Sequence, residues 1–383
     1  MLELAGEWGY TDINRGSAQG WTALHSAAMY GNYDVIKTLL DLGANINAAY
    51  KDGGTPFHYA LRYNSWRHEE GKLRLARLLV DAGSDPNRVD EYGCAPLQYA
   101  LGYFRDDDRS LPFAQLLIDS GADVNLPSRG GTSAHSYYLE GSFNHIMLHY
   151  DKPRLLETLI RAGVNVNALD SHGRSALMLH SFLGDSADIV KMLIAAGADV
   201  NHKNPHGETA LMYALRRGRT ENAEALIAAG ADVNVQAING DTPLMYCANI
   251  YWDEDKIDCT QLLIGAGADI NIQNEDGETI LMRLINIHYS YDYWKELYIK
   301  RIKVLLENAL KGDANDRRGI NLKDRHGCTA LMYAAADPDF PDDVLKLMID
   351  AGARGESLNV IVPERGRARS ELLGMEDIWE GDR

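Results

Sequence analysis

At 383 residues, with 38 basic and 55 acidic side chains and a formal charge of −17, the chain repels phosphate backbones and is not suited to non-specific nucleic-acid binding. Its four cysteines, Cys94, Cys247, Cys259 and Cys328, show no CxxC pair and no metal-ligand spacing, which fits reduced thiols in a cytosolic setting. No stretch approaches the ~18 apolar residues that span a bilayer, and Met1 to Ser17 carries early acids without an apolar core, so no cleaved signal peptide is expected.

The first stretch, Leu2 to Trp8 followed by Gly9-Tyr10-Thr11-Asp12-Ile13-Asn14, reads as the tail of a helix, its stop and an exit loop. From there a unit recurs. Turn glycines stand at Gly20, Gly53, Gly93, Gly130, Gly173, Gly207, Gly240, Gly277 and Gly327. A Thr or Ser follows two positions on in every copy except the third, which has Ala95. Helix-ending glycines keep step at Gly43, Gly83, Gly121, Gly163, Gly197, Gly230, Gly267 and Gly352. Glycine supplies the positive φ of a tight turn and of a helix stop, and the Thr or Ser caps the first helix of each unit. Small residues such as Ala27-Ala28 and Ala334-Ala335 let inner helices approach closely, while pairs such as Leu39-Leu40, Leu78-Leu79 and Leu305-Leu306 fill the interface between helix layers. Two short helices and a finger cannot bury an apolar face alone, so each unit must stack on its neighbours.

The segments WTALHSAAMYGNYDVIKTLLDLGANIN (21–47), GTPFHYA (54–60) and DTPLMYCA (241–248) resemble ankyrin repeats, whose pattern runs G-x-T-P-L-H-x-A-A, V-x-x-L-L, G-A-D-V-N. The resemblance covers Gly20 to about Ala353 in nine copies. It implies an all-α repeat solenoid of helix-turn-helix units with finger loops. Residues 1–16 are expected to form an N-terminal half-repeat cap, 17–353 the ankyrin-repeat domain, and 354–383 a C-terminal cap or tail. In that tail Leu372, Leu373, Met375, Ile378 and Trp379 form an apolar cluster that either covers the last repeat or binds a partner. The family histidine is kept at His25, His58 and His135, becomes Gln98, and then Met178, Met212, Met245, Met282 and Met332. Since that histidine ties adjacent turns in the family, the later copies are expected to rely on apolar packing.

Turn glycines are spaced 33, 40, 37, 43, 34, 33, 37 and 50 residues apart. The excess falls mostly between the two helices of repeats 2, 3, 4, 7 and 8, which places loops or helix extensions along one edge. The first group carries Tyr63, Trp66, Tyr103, Phe104, Phe143 and Tyr150, and the second Tyr251, Trp252, Tyr289, Tyr291, Tyr293, Trp294 and Tyr298. Acids accompany them at Glu69-Glu70, Asp106-Asp107-Asp108, Asp253-Glu254-Asp255 and Asp292. Rings beside acids suit a basic peptide or protein surface, but the same rings could instead pack the insertions together. A second series, Tyr59, Tyr99, Tyr213, Tyr246 and Tyr333, falls on a position that packs between helices in the family and is read as core.

The family's usual contact surface is the concave face of finger tips and inner helices. Here it would include Trp21, Tyr30, Arg174, Arg216 and Arg217, with Glu208, Asp241 and Glu278 also at tips. His172 and His206 occupy equivalent tips, but two histidines without further ligands make a poor metal site. The chain has no GxxxxGK[ST] phosphate loop, no HExxH helix and no GxSxG elbow. No cofactor is expected, and no enzyme. The sequence thus reads as a scaffold or adaptor, favoured as a monomer, that binds another protein, for which a basic surface is the suited chemistry, and neither nucleic acid nor membrane. An inhibitor, immunity-type or effector protein that occludes or recruits a basic partner is the alternative. An enzyme whose site is built from the insertions is a third. The place of action is the cytoplasm, or another cell's cytosol reached without a cleaved signal.

Overall fold

The computed structural model describes residues 12–62, 69–103, 107–126, 153–183, 186–248, 259–288, 295–311, 319–337 and 340–354. Within these the secondary structure is helical, with inner and outer helices alternating along the chain. The chain divides into two compact units, Met1–Leu183 with Lys191–Asp199, and Gly184–Val190 with Val200–Arg383.

In the first unit α1 (Ala23–Tyr30) and α2 (Tyr33–Asp41) form the first pair, followed by α3 (Pro56–Arg62) and α4 (Glu69–Asp81), then α5 (Pro96–Tyr103) and α6 (Asp107–Asp119). α7 (Pro153–Arg161) is the fourth outer helix, and α8 (Ala176–Leu183) leads into α9 (Asp188–Ala195), which the division between units crosses. α1 packs on α3 and α3 on α5, while α4 packs on α6 and α6 on α7, so inner helices meet inner and outer meet outer.

The second unit repeats the plan with α10 (Ala210–Arg216), α11 (Thr220–Ala228), α12 (Pro243–Cys247), α13 (Cys259–Gly265), α14 (Ile280–His288), α15 (Lys295–Lys311), α16 (Ala330–Ala336) and α17 (Asp342–Asp350). Its inner row α10, α12, α14, α16 and its outer row α13, α15, α17 pack in sequence. The motif methionines fill the inner row: Met212 and Met282 are fully buried and Met245 and Met332 nearly so. The tyrosine series is buried as expected at Tyr59, Tyr99, Tyr213 and Tyr246, with Tyr333 partly exposed.

Outside the helices, the asparagines closing most of the described exit loops join one repeat to the next. Their side-chain N–H groups donate to the next helix-ending glycine carbonyl, as Asn87 does to Gly121 at 2.9 Å and Asn201 to Gly230 at 3.0 Å. Their Oδ1 atoms accept an amide two residues beyond that glycine, Asp123 at 2.7 Å and Asp232 at 2.8 Å. These bonds satisfy backbone groups that the helix ends leave open.

One expectation changes. Thr22, Ser175, Thr279 and Thr329 cap their helices through the side chain, but Thr209 and Thr242 do not. At Thr242 the Met245 amide donates to the threonine carbonyl at 2.9 Å, a tighter turn that takes the place of the side-chain cap. Tyr298, one of the insertion rings, is fully buried on α15, which for this ring agrees with packing of the insertion and not with partner contact.

The inserted residues that are described lengthen outer helices. α4 and α6 span 13 residues and α15 spans 17, against 9 for α2 and α11; measured from the leucine pair, the added residues of α4 and α6 lie mostly at the N-terminal end, whereas α15 is longer at both ends. Tyr63, Trp66, Phe104, Tyr251, Trp252, Tyr291, Tyr293 and Trp294 lie outside the described residues, as do residues 1–11 and the tail from 355.

Candidate partner-binding surface

Most of the described fingers are closed by a short polar side chain three residues before the turn glycine, while those at Gly53 and Gly240 use Asp52 and Asn239, directly before it. Asp90 accepts the amides of Tyr92 at 2.9 Å and Cys94 at 3.0 Å. Asp170, Asn204, Asn274 and Asp324 do the same for the amides two and four residues on. Carboxylates and amides of this length hydrogen-bond their own downstream backbone, which is why they settle turns. Fingers are then stitched to one another by backbone bonds: Glu91 to Asp52 in the first unit, and Ile238 to His206, Glu275 to Asn239 and Arg325 to Asp276 in the second. The sequence reading missed the closing residue, although its recurrence in register was available.

The tyrosines behind the fingers join this framework. Tyr59 donates to Asp52 at 2.5 Å, Tyr99 to Asp90, and Tyr333 to Asp324 at 2.5 Å. Burial, and then the adjacent carboxylate, raise the Tyr99 and Tyr333 hydroxyls well above their usual range, so they stay protonated donors. Burial also pushes the neighbouring Cys94 thiol up to about 12, which leaves it unreactive.

In the first unit the fingers carry rings. Trp21 lies 5.1 Å from Tyr50 and 4.7 Å from Tyr59, both edge-on, and stacks on His25 at 5.2 Å. Its indole N–H donates to Ser26 at 2.7 Å. Trp21 is therefore half-buried and held, whereas Tyr30 at the end of α1 is 68% exposed. Arg62 faces the Tyr92 ring at 5.5 Å. Farther along, Arg174 turns onto Asp170 at 2.7 Å.

The second unit presents charge in place of rings. Glu208, Asp241 and Glu278 each follow their turn glycine, but Glu208 and Asp241 are buried where the sequence reading had them as exposed tips. The reason is pairing. Glu208 accepts from Asn204 at 2.9 Å, from Tyr246 at 3.0 Å and from Arg216. Burial alone would raise the Glu208 carboxyl, yet the Asn204 hydrogen bond and the Arg216 charge bring it below its ordinary value. Asp241 accepts from Arg283 at 2.7 Å and from Asn274 at 3.1 Å, and Arg283 also reaches Glu278 at 3.3 Å. Arg283 stands where other copies have the tyrosine, and like Tyr246 it reaches back to the acid of the preceding finger. Arg216 lies over the Tyr246 ring at 5.1 Å, while Arg217 and Ile238 lie on the exposed side, Ile238 at 64% exposure.

A family model for ankyrin repeats, in three copies, matches residues 3–90, 145–237, 183–252 and 244–359. The chain belongs to the ankyrin-repeat family. Among similar proteins is the ankyrin repeat and LEM domain-containing protein 1 homolog of Caenorhabditis elegans, 38% identical over 69 residues, which is 18% of this chain and 9% of that protein. Protein phosphatase 1 regulatory subunit 12A of Mus musculus is 34% identical over 113 residues, 28% of this chain and 10% of that protein. These matches thus span about a tenth of the relatives' length. The crystal structure of the ankyrin repeat domain of Bcl-3, a member of the IkappaB protein family, is 27% identical with a TM-score of 0.47, covering 60% of this chain and 94% of that one. Ankyrin repeats are in general protein–protein interaction modules, and this chain carries the repeat nearly end to end.

Among the described residues no group of three His, Cys, Asp or Glu is placed to hold a metal ion, and no helix is long and apolar enough to cross a membrane. Of the residues singled out from sequence, Trp21, Tyr30, Arg174, Arg216 and Arg217 fall on the fingers and on or just beyond the ends of inner helices. Tyr103 is the last residue of α5.

Proposed function

We propose that the chain is a non-enzymatic scaffold or adaptor that binds a partner protein through its finger-and-inner-helix face and through the aromatic, acidic insertion edge. The observation that carries this reading is the bracing of the fingers. The described fingers are closed by their own Asp, Asn or Ser and several are bonded to the next, so the side chains they present are fixed before any partner arrives. Rigid presentation reduces the entropy lost on association. The mixture of Trp21 and Tyr30 with Arg217 and Ile238 gives ring and apolar contacts beside charge, a composition favoured in interface centres. The charge of −17 steers a basic partner toward the surface. The match to a phosphatase regulatory subunit is consistent with action by binding, through the shared repeat alone.

Affinity capture from the native lysate, quantified by mass spectrometry, tests this. Two folded variants are compared with the parent, Trp21→Ala/Tyr30→Ala/Arg217→Ala and Tyr63→Ala/Trp66→Ala/Tyr291→Ala/Trp294→Ala. A partner captured by the parent and lost at least tenfold by either variant supports the reading; undiminished capture by both sinks it. Capture should also weaken as ionic strength rises from ~0.05 to ~0.5 M, where charges are screened over a few ångströms.

A further inference from the structure

The buried histidines at the start of the chain have a geometry that favours the neutral ring in one tautomer. His25 and His58 are almost wholly buried in the first two inner helices. The Nε2 of His25 lies 3.2 Å from the Gly54 carbonyl and that of His58 lies 3.1 Å from the Cys94 carbonyl. A carbonyl only accepts, so Nε2 carries the hydrogen in both rings. Nδ1 must then accept: it takes the Thr22 amide at 3.2 Å in one ring and the Thr55 amide at 3.1 Å in the other, with the threonine hydroxyls at 2.9 and 2.8 Å. Each ring thus spans two repeats, and a second proton on Nδ1 would deprive the threonine amide of its acceptor and force the threonine hydroxyl to turn from donor to acceptor.

We propose that His25 and His58 form an acid-sensitive latch which holds the first repeats together at neutral pH and releases them under mild acid. The surroundings set the direction. Burial disfavours the charged ring and is the largest influence at both sites. Against it, Asp52 faces both rings and Asp90 faces His58, while the carbonyls of Gly54 and Ala48 act on His25 and those of Cys94 and Arg88 on His58. The other packed groups are rings: Trp21 and Tyr59 on His25, and Tyr99 on His58. The net result lowers both histidines from their ordinary 6.5. The unfolded chain therefore binds more protons, so the latch's contribution is complete above pH 6.5 and declines as pH falls below it.

The chain supplies its own control. In the third inner helix Gln98 spans the same gap, its Oε1 accepting the Ala95 amide at 2.9 Å and its Nε2 donating to the Leu126 carbonyl at 3.0 Å. An amide does this without a titrating proton. In the second unit the position is methionine at Met212, Met245, Met282 and Met332, which has nothing to titrate.

Hydrogen exchange of the full chain at pH 7.5 and 5.5, corrected for intrinsic rates, provides the test. Opening of Ala23–Arg62 should increase by up to about a hundredfold at pH 5.5, tenfold for each histidine one unit below 6.5, while Ala210–Arg216 changes little. The variant His25→Gln/His58→Gln should lose most of that increase. Equal increases in parent and variant would overturn the latch, as would unchanged protection in the parent. Should the variant not fold, ring NMR of the parent decides: both rings are expected to stay Nε2-protonated until the segment opens. Protonation near pH 6.5 with the amides still protected would contradict it.

Discussion

Arg283 shows how much one side chain can hold in a stack of similar units. It occupies a position that elsewhere carries a tyrosine, and its guanidinium lies 2.7 Å from Asp241 of the preceding finger and 3.3 Å from Glu278 of its own. The three side chains are 17%, 12% and 24% exposed, so removal of the cation leaves two poorly hydrated carboxylates facing each other. Burial opposes the charge on Arg283, but the Asp241 bond outweighs it and raises the guanidinium further, keeping it charged at any practical pH. Arg283→Met should therefore destabilise the chain by about 3 kcal/mol at pH 7 in urea unfolding. Arg283→Met/Asp241→Asn should recover part of that loss, because a neutral amide is cheaper to leave in place. Equal stability of the parent and the single variant would mean that the pair is hydrated and contributes nothing.

At the scale of the element, the two glycine series have different reasons, although both have positive φ. Gly240 in the turn has φ 77°, and a Cβ there would lie 2.6 Å from the Glu275 amide nitrogen and 2.7 Å from the Asn274 Cα. Gly230 at the end of α11 has φ 89°, but a Cβ there would meet nothing within 4 Å. Gly230→Ala should cost about 1–2 kcal/mol, the strain of a left-handed residue. Gly240→Ala adds a backbone collision with the next finger and should cost roughly 3 kcal/mol or more. Comparable urea midpoints for the two variants would show that finger contact adds nothing to the strain. The periodic glycines, Leu pairs and buried tyrosines were legible because a repeat displays each requirement several times. Asp90, Asn204 and their equivalents recurred just as regularly, yet only coordinates reveal that their oxygens close the turn on amides two and four residues ahead. Glu208 and Asp241 misled because charge after a turn ordinarily faces water. Their burial depends on partners 8 and 42 residues away, a separation that no local pattern carries.

For the whole molecule, stacking removes the need for a single central core, and surface identity is left to residues that the repeat does not constrain. The first unit displays rings on its fingers and the second a row of compensated charges, so the two present different chemistry on one architectural plan. The family resemblance was carried by motif residues such as GTPFHYA (54–60) and DTPLMYCA (241–248) recurring in register, while the choice of contact residues was not, since exposure depends on which side chains find partners. Our central claim is that binding uses the fingers, inner-helix ends and insertion edge. The most direct measurement is hydrogen–deuterium exchange of the full chain with and without its captured partner. The account predicts slowed exchange at the finger around Trp21, the segment Arg216–Gly218, the finger around Ile238 and the insertions, with α11 and α17 unaffected. Slowed exchange confined to the outer helices, with those fingers and insertions unchanged, would contradict it.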